Sequence, residues 1–336
     1  MKIGIIGGGN IGSEVYRQAV SNAWDVKFVM KIDGVYKNLE EKIDGLENSK
    51  KYLENLDIAF LAIPTCDDGT IASNYMKYLV EKGIPVVTCE KGALSKDFTK
   101  FEPFIEKGMI GYSATVGGGT RMLKYAEKQV GPDTKTIHAN FNGTTNYCLD
   151  NIPKRRCSKK VFEETRDLGY AEPEAKTGLE IMNKESAGDV PMKGAIFFNF
   201  TIGRLIKEYV SAREFSAKRL ENDDFKRLIK EASNRRYIFS IMKKGYEIKE
   251  DDIIGGFKYQ MYDYFISAGF KKINSDKSYE SMKVPGVYNS LAILDGKDQR
   301  TYGVYNLQGP GAGAEPTVSS MMKDGKDIIS HQGKSF

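Results

Sequence analysis

The chain opens with KIGIIGGGNIG, residues 2–12: an apolar run, Lys2–Ile6, that breaks into glycines at Gly7, Gly9 and Gly12, after which Glu14–Ser21 carries a helical pattern. A buried strand, a tight turn and a helix in that order leave free N–H groups at the helix start, where a pyrophosphate can be received. Gly7 permits the turn, Gly9 lets backbone approach phosphate, and Gly12 allows the helix to pack closely on the strand. Asn10 and Ile11 complete the loop. The same letters also describe a plain glycine turn; the alternation of strands and helices that follows weighs toward a dinucleotide site.

Working outward, Val26–Met30 is the second strand, and a carboxylate at its end would meet the adenosine ribose of NAD. The sequence has Lys31 there, with Asp33 further into the turn. A lysine suits a 2′-phosphate, which points to NADP; the alternative is a solvated Lys31 with Asp33 swinging back. Asp57–Ile63 is apolar enough for a strand buried on both faces and stops at Pro64-Thr65, so Ile63, Pro64 and Thr65 stand where cofactors sit. Thr70–Lys82 is a helix ended by Gly83, and Ile84–Thr88 a strand followed by Cys89-Glu90-Lys91. Lys91 is placed at a strand tip, solvated or catalytic. Phe101–Lys107 is a further helix, and Met109–Val116 a further strand running into Gly117-Gly118-Gly119, a triplet that marks backbone held near a ligand or ion. The expectation is an α/β, Rossmann-type doubly wound sheet over 1–131 with 305–336.

After Gly131 the pattern changes, and 132–304 reads as an α+β substrate-binding and dimerisation domain with an open mixed sheet and helices on one side. Lys135–Asn142, Arg236–Met242, Ile254–Lys258 and Leu291–Leu294 are strand-like, and Gly143–Tyr147 reads as a small polar turn before a helix from Tyr147. Within Leu168–Lys193, Glu172, Asp189 and Lys193 are candidate partners for a small zwitterion. Asp189 and Lys193 share one face if the segment is helical. The competing reading is a surface ion pair at a helix start, with Asp189 as cap and Pro191 in the first turn. The Gly/Pro-rich run Gln308–Pro316 leads into a final helix, Thr317–Lys323.

With 336 residues, 40% hydrophobic and 28% charged, the chain can bury two cores. Its 50 basic and 45 acidic residues are interspersed, and the net +5 argues for neither nucleic acid nor membrane as partner. No apolar run approaches a membrane span, and no signal peptide is recognisable. Cys66, Cys89, Cys148 and Cys157 form no metal-ligand spacing, so a reduced, cytoplasmic protein without structural zinc is expected.

Seven motifs in order, the glycine loop, Lys91 after its strand, Ala114–Gly119 (ATVGGG), Asn142–Tyr147 (NGTTNY), Gly169–Glu174 (GYAEPE), Gly188–Lys193 (GDVPMK) and Gly309–Thr317 (GPGAGAEPT), resemble homoserine dehydrogenase over nearly the whole chain. The resemblance implies a short form without aspartokinase or regulatory parts, a homodimer, and interconversion of L-homoserine and L-aspartate 4-semialdehyde with NADP or NAD. It implies that Glu172 binds the substrate amine, Asp189 holds the substrate and orients Lys193, and Lys193 transfers the proton. Lys91 would lie between nicotinamide and reacting oxygen, Gly143 and Thr144 would line the site, and Gly311–Glu315, with Gly313 and Glu315, would close over the nicotinamide. Reducing an aldehyde places negative charge on oxygen, which a lysine ammonium stabilises and protonates. No metal is required.

Some positions depart from the family. Ser113 stands where a glutamate usually helps hold a monovalent cation, leaving the carbonyls of Val116 and Gly118 as its ligands. Thr120-Arg121 replaces an apolar residue and proline, and Arg121 either meets a substrate carboxylate or lies in solvent. The family's second aspartate before Asp189 is missing, with Glu180 and Glu185 as substitutes. These departures leave open a different small amino alcohol or aldehyde, and a non-catalytic NADP sensor is the reading from another class.

Overall fold

The computed structural model describes residues 1–66, 68–155, 157–172, 174–248, 252–297 and 300–333. The chain divides into two units, Met1–Gly119 with Ala314–Phe336, and Thr120–Gly313, so that the helix Met122–Gln129 goes with the second.

In the first unit the apolar runs become strands β1 (Lys2–Ile6), β2 (Asp25–Lys31), β3 (Gly34–Tyr36), β4 (Lys42–Asp44), β5 (Ile58–Leu61), β6 (Val86–Thr88) and β7 (Ile110–Gly111). Their order is β4-β3-β2-β1-β5-β6-β7. The five strands β2, β1, β5, β6 and β7 run parallel, as doubly apolar strands do when helices cover both faces. β3 and β4 extend the sheet antiparallel. At three residues each they are too short to leave an alternation in the sequence. Ile5, Val29, Ile58 and Phe60 of the sheet join Val15 and Ala19 of the helix Asn10–Ser21 and Val318, Met321 and Ile329 of the helix Ala314–His331 in one core. Each such fully buried aliphatic or aromatic side chain contributes roughly 1.5–3 kcal/mol. The last helix begins three residues earlier than its sequence pattern, because Pro316 is tolerated in a first turn whose N–H groups have no partner to lose.

In the second unit β8 (Thr134–Asn140), β9 (Arg235–Lys243), β10 (Ile254–Met261), β11 (Tyr264–Lys272), β12 (Tyr288–Lys297) and β13 (Arg300–Pro310) form one sheet, ordered β10-β11-β9-β8-β12-β13. Every pairing is antiparallel, which corrects the expected mixed sheet. The hairpins β10–β11 and β12–β13 fix the sense of two of these pairings, and neither β11 nor β13 is legible as a strand from its sequence. β11 carries Ala268 and Gly269 where the neighbouring backbone of Gly256 approaches, and β13 is a largely solvent-facing edge ending in Gly-Pro.

Alternation along β8, β9 and β11 puts Ala139, Phe239 and Ala268 on one face and His138, Ser240 and Ser267 on the other. The first face receives the helix Val190–Phe198. Phe197 lies 6.2 Å from both Phe141 and Phe239 between ring centroids, and a Cβ on Gly194 would stand 2.7 Å from the Phe239 ring, so that glycine sets how closely helix and sheet approach.

The helix start near Gly143 is a second correction. Gly143–Arg155 is helical throughout, so the GTTNY segment is a first turn and not a polar loop. Asn142 caps it: its Oδ1 accepts the Thr145 N–H at 2.9 Å.

Candidate functional site

In the first unit the glycines are constrained very differently. Gly7 has φ +108° and a Cβ there would stand 2.3 Å from the Ala62 carbonyl oxygen; one at Gly12 would stand 1.7 Å from the carbonyl oxygen of Gly7. Gly9 has nothing within 4 Å of its Cβ position, so no protein atom requires glycine there. The helix behind it has neither a side-chain cap nor an acidic residue in its first turn. Its leading N–H groups and positive dipole end are thus presented outward past Asn10 and Ile11, an arrangement suited to a phosphate.

Lys31 ends β2 with its stem against Gly8, where a Cβ would meet Lys31 Cγ at 2.6 Å. Its ammonium donates to the Leu39 carbonyl at 2.5 Å and sits 4.4 Å from the centre of the Tyr36 ring. Asp33 does not turn back toward the loop. It accepts from the Tyr36 hydroxyl at 2.7 Å, and that bond holds its carboxyl below the usual range.

Ile63, Pro64 and Thr65 follow β5, and Thr65 Oγ1 accepts the Lys91 N–H at 3.4 Å. Next to Lys91, the buried Glu90 carboxylate accepts from the N–H groups of Gly92 and Ala93, at 2.5 and 3.0 Å, fixing the short helix Gly92–Lys96 behind it. Lys91 is half-buried at this strand tip. Glu315 is exposed in the first turn of the helix Ala314–His331.

In the second unit the helix Gly178–Lys184 passes through a π turn, Glu185–Asp189, directly into Val190–Phe198. Asp189 therefore lies inside a continuous helix and does not cap one. In an α-helix the Pro191 ring would strike the carbonyl of Ala187, and the wider π turn relieves that clash. Glu185, Asp189 and Lys193 follow one another at intervals of four. Lys193 Nζ is 2.6 Å from Asp189 Oδ2 and donates to the Phe141 carbonyl at 3.0 Å. Asn142 Nδ2 donates both to Asp189 Oδ2 at 3.0 Å and to Glu185 Oε2 at 2.6 Å. One buried amide thus holds two carboxylates together, while its oxygen caps the next helix.

Gly143 and Thr144 stand beside this cluster. A Cβ at Gly143 would reach the Val287 carbonyl at 2.8 Å, and Thr144 Oγ1 donates to the Tyr170 carbonyl at 2.7 Å. Glu172 is exposed, and no described contact joins it to Asp189 or Lys193; Pro173, in the same motif, lies outside the described residues. Of the two substitutes for the missing aspartate, Glu185 belongs to the cluster. Glu180 instead completes a capping box with Thr177. Arg121 has φ +51° and begins the helix Met122–Gln129. Gly313, also left-handed at φ +110°, ends the second unit. Asn142 was not singled out from sequence as a site residue. An asparagine directly before Gly-Thr-Thr is a helix-cap signal that marks it.

A family model described as homoserine dehydrogenase matches residues 122–325, more than half of the chain. The chain is 27% identical over 150 residues to a chloroplastic bifunctional aspartokinase/homoserine dehydrogenase 2 of Zea mays, covering 38% of this chain and 16% of that one. It is 21% identical over 261 residues to an NAD(+)-dependent homoserine dehydrogenase of Pseudomonas canavaninivorans, covering 76% of this chain and 66% of that one. The chain thus spans less than two thirds of the length of these curated relatives. A hyperthermophilic archaeal homoserine dehydrogenase in complex with NADPH has the same fold, with TM-score 0.68 and 18% identity over 99% of this chain and 98% of that one. From the family match, the chain belongs to the homoserine dehydrogenase family.

Proposed function

We propose that the protein is an NAD(P)-dependent homoserine dehydrogenase that interconverts L-homoserine and L-aspartate 4-semialdehyde. The observation that carries the reading is the Lys193–Asp189–Asn142–Glu185 cluster, a half-buried lysine held by one carboxylate next to a second. A bound nicotinamide supplies or accepts the hydride at the substrate carbon. In the reducing direction Lys193 gives its proton to the carbonyl oxygen as that oxygen becomes an alcohol, and Asp189 keeps the amine aimed. In the oxidising direction the same amine takes the hydroxyl proton. Lys91 is the second ammonium assigned to the charge developing on oxygen, with Thr65 fixing its backbone N–H and Glu90 the helix that follows it. Asp189 and Glu185, with Glu172, hold the substrate amine, and Gly143 and Thr144 border it.

The cofactor loop is assigned to Gly7, Gly9, Asn10, Ile11 and Gly12, extended by Ile63, Pro64 and Thr65 and by Gly313 and Glu315. Lys31 at the end of β2 favours NADP, with NAD as second cofactor; Asp33 is occupied by Tyr36. One of the two relatives just named is NAD(+)-dependent and the solved one carries NADPH, which fits a family that uses both. The working form is a homodimer in the cytoplasm.

The test is steady-state turnover of purified protein with homoserine and close amino-alcohol analogues at both cofactors. Homoserine should have the highest kcat/KM. A higher value for an analogue transfers the substrate assignment to it, and no change in reduced-cofactor absorbance with any of them leaves a nucleotide-binding sensor. Lys31→Ala should raise KM for NADP roughly tenfold, the loss of about one charge-assisted bond, and leave NAD nearly unaffected. Equal effects on the two cofactors remove Lys31 from the choice.

A further inference from the structure

We infer that the glycine loop Ser113–Gly119 is held in place by two side chains of the last helix, Ser320 and Asp324, and that it needs no bound cation. Gly117 and Gly118 both lie in the left-handed region, at φ +84° and +51°, so this backbone has much freedom to lose and must be fixed by something. Both ends of it are tied to one face of the helix Ala314–His331. Asp324 Oδ2 accepts the Ser113 N–H at 2.7 Å and Asp324 Oδ1 accepts the Ser113 hydroxyl at 2.6 Å. One turn earlier, Ser320 Oγ donates to the Gly118 carbonyl at 2.9 Å. Ser113, Ser320 and Asp324 are all buried, and Gly111 lets the helix come this close, since a Cβ there would stand 2.9 Å from Asp324 Cβ.

The oxygens here are already engaged with protein partners, which supply the ordering a monovalent cation would give. Such an ion needs several oxygens whose lone pairs turn to one point. Where a glutamate would offer a carboxylate, Ser113 offers one neutral hydroxyl oxygen, and its N–H and O–H both donate to Asp324. The Gly118 carbonyl already accepts from Ser320, and both Asp324 oxygens already accept from Ser113. Hydrogen bonds to a buried carboxylate are the stronger kind, so they suffice to order the loop before any ligand arrives. The helix therefore does for this loop what an ion would do by drawing carbonyls together.

The experiment compares melting temperature and turnover in sodium, potassium and choline chloride at matched ionic strength. Because an ion bound only to the native state raises its stability, the inference expects melting temperatures within about 1 °C and rates within about twofold across the three salts. A melting temperature several degrees higher in sodium or potassium than in choline, or a rate lost in choline, overturns it. Melting requires no substrate, so this arm is read even if the enzymatic assignment fails. In Ser320→Ala, amide exchange at residues 116–119 should quicken and the melting temperature fall, with Ser320→Thr restoring both. Unchanged exchange in Ser320→Ala refutes the clamp.

Discussion

In the first unit the candidate phosphate loop is made of backbone, and its decisive residues are those that lack side chains: Gly7 and Gly12 because the chain itself leaves no room, Gly9 because the proposed phosphate would take the room. In the second unit the surface is made of side chains, with Asn142, Glu185, Asp189 and Lys193 bonded in sequence across a helix start and a π turn. A phosphate has no orientation that a dipole and a row of N–H groups cannot meet, so backbone serves. Moving a proton to one oxygen needs a titratable group at one place, which backbone cannot supply. The comparison teaches that the two units should fail differently when altered.

The largest failure is expected at Lys193→Ala. Turnover should fall about 10²–10⁴-fold, the usual worth of a positioned proton donor, while binding of reduced cofactor, followed by its fluorescence, stays as in the parent. Turnover within a few fold of the parent would break the side-chain half of the comparison. Next in size, Gly12→Ala forces a methyl into backbone and should destabilise by about 1–3 kcal/mol or more in urea unfolding.

Asn142→Ala comes third. It removes the amide that bonds both carboxylates and uncaps a helix, which should lower stability by about 2 kcal/mol. Turnover should fall as well, because Asp189 loses a bond that places it against Lys193; an unchanged kcat would show that Asn142 is only a cap. Gly9→Ala is the counterpart to Gly12→Ala. Its melting should match the parent while cofactor affinity falls, by about tenfold if one phosphate contact is blocked. If both glycine variants unfold alike, the distinction between protein-constrained and ligand-constrained glycines is wrong.

The last effect is a slope, absent at neutral pH. Burial first, and then the Lys271 charge, push the buried His138 imidazole down to about 3. The unfolded chain takes that proton near the ordinary value of about 6.5, the folded chain only near 3. Stability is therefore undiminished above about pH 6.5 and lost progressively as pH falls toward 3, at up to about 1.4 kcal/mol per pH unit. His138→Gln should flatten that slope relative to the parent, and parallel curves would mean that the imidazole is not held neutral.

The glycine loop was readable because everything it needs is within eleven residues. The Asp189–Lys193 pair was readable because helical spacing places positions four apart on one face. Its surroundings were not. Asn142 is 43 and 47 residues from the two carboxylates it joins, and nothing local separates Glu185, which joins the cluster, from Glu180, which caps a helix five residues away. Pro191 was misleading for the same reason: as a local signal it marks a helix start, and only a π turn in the preceding residues lets the helix run through it.

Amino-acid order alone is enough for the short-range features: the parallel strands of the first unit, the loop of Gly7 to Gly12, the spacing of Asp189 and Lys193, and the family. These follow from steric and periodic rules acting over a few residues. Tertiary structure alone decided that the second sheet is antiparallel throughout, that Glu185 and Asn142 complete the Lys193 cluster, and that the last helix holds Ser113 and Gly118. Those outcomes depend on which distant groups satisfy one another's hydrogen bonds once water is excluded, and no local pattern encodes that choice.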